Sequence, residues 1–184
     1  MVLLKSEVVL KTGTKAPEFS LLGIDDKKHS LSEFKNCPLL IIFMCNHCPY
    51  VQAKVSAMNE IHEKFKDIVM IGINSNDPKN YPDDSFENMK KFAKDKNIKF
   101  AYLVDETQEV AKKYGAVCTP DPFLFDKDFK LVFHGRIDNG MKPEDKPTEK
   151  TMILNIEKLL SGNKIEKDFE PSMGCSIKWK SQQT

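Results

Sequence analysis

Two cysteines separated by two residues, Cys45 and Cys48, stand where an apolar run gives way to a helical pattern. Leu39 to Phe43 is an unbroken apolar run, as expected of a strand buried on both faces. Beyond Pro49, Val51, Val55, Met58, Ile61 and Phe65 recur at steps of three and four, the period of a helix. Pro49 suits the first turn of that helix, because its missing N–H is one of the donors left unpaired there anyway. The cysteines are therefore expected where a central strand ends and a helix begins. A helix N-terminus carries about half an elementary positive charge, which favours a thiolate placed against it. Disulfide exchange needs a thiolate, a second thiol to resolve the mixed disulfide and a groove for the partner. The spacing meets the first two needs. The same pair could instead be inert or supply half of a metal site, and the two residues alone leave that open. Asn46 and His47, enclosed by the cysteines, are candidate tuning residues. A protonated His47 would stabilise the Cys45 thiolate and make a disulfide there easier to reduce. The bland alternative for His47 is an ordinary surface residue.

The totals set the frame for this chemistry. A chain of 184 residues suits one domain and is short for two. A net charge of +1 gives no electrostatic case for nucleic acid or an anionic membrane. No apolar run approaches the ~20 residues that span a bilayer. Met1 to Glu7 lacks the n-region and apolar core of a signal peptide, so a cytoplasmic, reducing location is expected. Five cysteines, an odd number, argue against a purely structural disulfide framework. Arg136 is the only arginine.

The elements that must position the cysteines follow in order. Residues 1–16 offer a lead-in strand, and Ala16–Leu22 with Lys27–Leu31 reads as a hairpin. Ser30-Leu31-Ser32-Glu33 has the spacing of a capping box. After the central strand come a helix over 50–66, a buried strand over 68–74 and a polar loop over 74–84. A second amphipathic helix follows from Phe86, with its lysines on a solvated face, then a strand over 100–104. Thr107–Tyr114 reads as a third helix closed by Gly115. Residues 122–126 and 130–136 form a strand pair, 138–147 a loop, and 148–161 a final helix. The tail, 171–184, shows no period. Strands alternating with helices, then a hairpin and a helix, argue an α/β fold with a mixed central sheet. It is one domain over 1–184, with a core of about 12–165 and a tail over 166–184.

With the strand, Cys45-x-x-Cys48, the helix and Thr119-Pro120 in place, the chain resembles the thioredoxin superfamily. Lys15-Ala16-Pro17-Glu18-Phe19 before a hairpin looks like the opening of its redoxin branch, the peroxiredoxin-like and AhpC/TSA-like proteins. Met44 to Val51 and Pro171 to Trp179 resemble the peroxiredoxin-like group within it, and the likeness spans roughly residues 12–180. It implies a thioredoxin fold with an N-terminal hairpin extension, in which Cys45 attacks and Cys48 resolves. It also implies a cis Thr119–Pro120 bond beside the cysteines, with the backbone of Thr119 free to pair with an extended substrate strand. The departures are Met44 where thioredoxins carry tryptophan, and Leu39 where they bury an aspartate. Typical peroxiredoxins carry Pro-x-x-x-Thr-x-x-Cys and a separate arginine. Aligned on Cys48, the threonine position holds Cys45 and the proline position Ile41, and Arg136 is a poor substitute for that arginine. Cys118, two residues before Pro120, is a third thiol or a buried inert one. Cys175 is a distal resolving thiol or a packing residue, and Cys37 lies at the far end of the central strand.

The expected function is thiol–disulfide exchange by the Cys45/Cys48 dithiol, contributing to redox homeostasis and needing no cofactor and no metal. Its partners would be protein or small-molecule disulfides and a thiol reductant. The first alternative is a thiol-dependent, antioxidant peroxidase acting on peroxides through Cys48 or Cys45. The second is a module holding zinc or an iron–sulfur cluster, with Cys118 or Cys175 among the further ligands.

Overall fold

A computed structural model describes residues 2–181. Met1 and residues 182–184, the last of the predicted tail, lie outside the described residues. The apolar run Leu39–Phe43 forms β4, and every one of its residues is buried. Its side chains alternate between two cores, one containing Leu40 and Ile42 and the other Leu39, Ile41 and Phe43. β4 lies between β5 (Val69–Asn74), to which it is parallel, and β8 (Asp121–Phe125), to which it is antiparallel.

Eight strands form the main mixed sheet, in the order β10 (Phe169–Glu170), β9 (Leu131–Gly135), β8, β4, β5, β6 (Ala101–Val104), β2 (Ser20–Gly23) and β3 (Lys28–Ser30). The predicted hairpin is β2 with β3, and its exit is fixed by the Ser30 amide donating to Glu33 Oε1 at 2.9 Å. β9 pairs with β8. Helices α1 (Pro49–Lys64), α2 (Phe86–Asp95) and α4 (Thr151–Leu160) contribute to the core that contains both motif cysteines. α3 (Glu109–Tyr114) packs into the other core and ends at Gly115, whose φ of 73° lies in the left-handed region. The mixed central sheet expected from the pattern is what the chain adopts, and its architecture is the thioredoxin fold that the resemblance implied.

The tail departs from the expectation. Phe169–Glu170 is β10, which lies parallel to β9. Met173–Ser176 is β11, the middle strand of a second, three-stranded sheet. On one side β11 pairs with β1 (Leu3–Lys5), and on the other with β7 (Cys118–Thr119). The lead-in strand expected near the N-terminus thus finds its partner about 170 residues away. The tail has no legible period because Gly174 and Pro171 interrupt it, and its strand character comes from its neighbours.

Candidate active site

Cys48 is the N-cap of α1, with Pro49 on the first helical turn as the sequence predicts. Cys45 precedes it on the segment that leaves β4, and both thiols have no exposed surface. The Thr119–Pro120 bond is cis, as the resemblance implied, and the Thr119 side chain reaches Cys45, Oγ1 to Sγ 3.3 Å. Cys48 Sγ lies 3.2 Å from the Thr119 carbonyl oxygen and 2.8 Å from Cys175 Sγ. Protonated, Cys48 donates to that carbonyl. Ionised, it accepts from the thiols around it.

The two motif thiols differ sharply. The hydrogen bond from Cys45 pulls the Cys48 thiol down to about 5, against the cost of burial, and Cys175 and the Val51 amide of the first helical turn assist. Burial drives Cys45 well above the ordinary thiol range, and its bond to Cys48 and the nearby Asp84 carboxylate add to that. The thiolate is the nucleophile in exchange, and Cys48 is the motif thiol whose surroundings favour ionisation.

His47 is held by a carboxylate. Its Nδ1 lies 2.6 Å from Asp84 Oδ2, and its ring stacks on Tyr81 at 5.6 Å between centroids. The bond to Asp84 raises the pKa of His47 against partial burial. The Cys48 sulfur also favours the imidazolium, a smaller effect than that of Asp84. Asn46 is buried and fixed from three sides. Its amide donates to Asp84 Oδ1 (2.7 Å), its Nδ2 to the Asp83 carbonyl (2.8 Å), and its Oδ1 accepts from Tyr102 (2.9 Å).

Asp84, which the sequence reading passed over, organises this arrangement. It is buried within a short 3-10 turn and also accepts from Asn76 Nδ2 at 2.7 Å. Burial opposes its ionisation, but the His47, Asn76 and Asn46 bonds outweigh that and lower its pKa. Asn76 in turn accepts the Lys178 amide on Oδ1 at 2.8 Å, which ties the tail to the motif.

The remaining candidates separate. Cys175 meets Cys48, so the tail thiol belongs to the site. Cys118 is fully buried beside Ser176 in the sheet register, and burial drives its thiol far up, which suits an inert residue. Cys37 is half-buried just before β4. Thr119 lies beside the sulfurs, but its edge is not free for a substrate strand, because β11 pairs along it with Cys175 opposite Thr119. Arg136 is held by Glu149 (3.3 Å) and Glu170 (3.0 Å). Among the described residues, one group has metal-ligand geometry: Cys45, His47 and Asp84, within 4.8 Å. It is not the Cys118 or Cys175 set expected for a metal, and its members already bond to Thr119, to one another, to Asn46 and to Asn76.

Residues 12–134 match the family model described as AhpC/TSA family. The chain belongs to that family. Over its full length it is similar to an uncharacterized conserved protein from Geobacillus kaustophilus, at 39% identity and a TM-score of 0.93, covering 100% of this chain and 99% of that one. It is 28% identical to the thiol-disulfide oxidoreductase ResA of Bacillus thuringiensis over 128 residues, 68% of this chain and 70% of that protein. A third relative is the chloroplastic peroxiredoxin Q of Populus jackii, 31% identical over 56% of this chain and 46% of that one. As an AhpC/TSA-family protein with a thioredoxin fold, the chain is an oxidoreductase of the thiol–disulfide class.

Proposed function

We propose that this AhpC/TSA-family chain contributes to redox homeostasis by thiol–disulfide exchange, with Cys48 as its attacking sulfur. The observation that carries this reading is the place of Cys48 as the N-cap of α1 with Cys175 Sγ 2.8 Å away, a setting in which its thiol is pulled down to about 5 and a thiolate is favoured at neutral pH. Cys48 attacks one sulfur of a disulfide, forming a mixed disulfide and releasing the other half as a thiol. A second protein thiol then attacks Cys48 Sγ and releases the first half. Two protein thiols are oxidised, one substrate disulfide is reduced, and a thiol reductant resets the pair. No cofactor beyond the thiols enters this scheme. A reducing, cytoplasmic pool would keep the protein in its dithiol form.

A second reading, thiol peroxidase, is favoured by one observation. Cys45 occupies the position where peroxiredoxins carry the threonine hydroxyl, and from there it lowers the pKa of the Cys48 thiol. Against it stands the engagement of Arg136 with two glutamates. Exchange with disulfides is expected to be fast and peroxide turnover slow.

Thiolate absorbance of the reduced protein tests the assignment. One thiolate should appear with a midpoint near 5. Cys48→Ser should abolish it together with disulfide exchange, and Cys45→Ser should raise the midpoint. A low-pH thiolate that survives Cys48→Ser but not Cys45→Ser would return the attack to Cys45. Rapid peroxide consumption that survives Cys45→Ser but not Cys48→Ser would make the chain a peroxidase.

A further inference from the structure

The backbone edge beside Pro120 is where an extended partner would lie in a thiol–disulfide oxidoreductase, and this chain fills it itself. β11 runs antiparallel to β7, with Cys175 opposite Thr119 and Ser176 opposite Cys118. The fit is specific at Gly174, where an added Cβ would stand 1.9 Å from the Thr119 carbonyl oxygen. Ser172 fastens one end: its Oγ donates to the Pro120 carbonyl at 2.6 Å and its amide to Ser6 Oγ at 2.8 Å. The other end is fastened by the Ile177 amide on the Val117 carbonyl (2.9 Å) and the Lys178 amide on Asn76 (2.8 Å). β1 then covers the outer edge of β11, with Leu3 opposite Cys175.

We propose that β11 is the built-in occupant of the substrate groove, that it restricts exchange to small disulfides, and that its Cys175 closes the protein disulfide with Cys48. This rests on the reading of Cys48 as the attacking sulfur. β11 pairs with β7 over only two residues, so a local opening admits a small molecule to Cys48. Seating an extended polypeptide instead requires the whole strand and its fastenings to leave.

The sulfur chemistry follows. The Cys48 thiolate attacks a small disulfide R–S–S–R, forming Cys48–S–S–R and expelling R–S⁻, which takes up a proton. Cys175 then loses its proton and attacks Cys48 Sγ, forming the Cys48–Cys175 bond and expelling the second R–S⁻, which is protonated in turn. Two protein thiols become one disulfide, and R–S–S–R becomes two R–SH. Cys175 suits the second step better than Cys45. It already stands 2.8 Å from Cys48, and Lys178 partly offsets the burial that pushes its thiol up to about 12, whereas Cys45 is tied to Thr119 and faces the Asp84 carboxylate.

The test uses the full reduced chain and oxidised glutathione, with acid quench, alkylation and peptide mapping. The expected product is a Cys48–Cys175 bridge. In Cys175→Ser, glutathione should remain attached to Cys48 at least about tenfold longer than in the wild type. Gly174→Ala should dislodge β11 and raise the rate at which Cys48 forms a mixed disulfide with insulin at least about tenfold, while the Cys48–glutathione mixed disulfide still forms and then persists because Cys175 has moved away with the strand. A Cys45–Cys48 bridge, with the Cys175→Ser mixed disulfide resolving at the wild-type rate, overturns the proposal and leaves Cys48 as the attacking sulfur. Equal rates on insulin for wild type and Gly174→Ala overturn the groove assignment even where Cys175→Ser folds poorly. Oxidised glutathione that leaves Cys48 unmodified in the wild type overturns both this inference and the proposed function.

Discussion

Asp84 accepts from the Asn46 amide, His47 and Asn76, so the loop inside the motif is held by a single carboxylate. The pH dependence separates the two charged members of the His47–Asp84 pair. The His47 pKa lies above its ordinary 6.5, so the stability from imidazolium binding is fully present below 6.5 and is lost as pH rises through the folded value. The Asp84 pKa lies below its ordinary 3.8, so its contribution is present above 3.8 and is lost as pH falls through the folded value. His47→Gln should therefore cost about 2 kcal/mol in urea unfolding near pH 5.5 and distinctly less near pH 8.5. A penalty equal at both values would reduce His47 to its stacking on Tyr81. Cys45, Cys48 and His47 were legible because their chemistry sits within four residues at a strand-to-helix junction. Asp84 was not. It lies 37 residues beyond His47, next to Asp83 in a polar loop, where two adjacent acids read as a solvated turn.

Elements whose stability is local were the readable ones. The apolar run of β4, the period of α1 and the left-handed cap of α3 each follow from short stretches of sequence. β1 and β11 follow from each other instead, and nothing within Met173–Ser176 announces its register. The resemblance placed Thr119 and Pro120 beside the sulfurs, but it gave no sign that the tail covers them. If the fastenings of β11 carry that cover, Ser172→Ala leaves the Pro120 carbonyl without its donor and should cost about 1–2 kcal/mol. Hydrogen exchange is the measurement that localises the effect. β11 amides should lose about tenfold in protection, while those of β4 and β5 stay at the wild-type level. A uniform loss across the sheet would mean that Ser172 supports the whole fold and not the strand over the site.

Two apolar cores lie on either side of the main sheet, with the sulfurs at the end of a strand buried at every residue. Cys48 and Cys175 are 127 positions apart, so a bond between them closes most of the chain into one loop. In the chain-entropy model such a loop stabilises the fold by about 5 kcal/mol, against about 1.6 kcal/mol for a bridge between Cys45 and Cys48. Denaturant unfolding of the oxidised and reduced forms should therefore differ by several kcal/mol. A difference near that of the short loop would place the bridge within the motif. The relation also runs in reverse. Whatever the long loop contributes to the fold, the fold returns to the bond, and an advantage of about 3 kcal/mol corresponds to roughly 70 mV of added resistance to reduction. A partly unfolded chain gives that resistance up, so the same thiol pool that spares the bridge in the intact protein can open it once the tail has come away. The distance between two sulfurs along the chain thereby makes the oxidised bond a gauge of whether the molecule is folded.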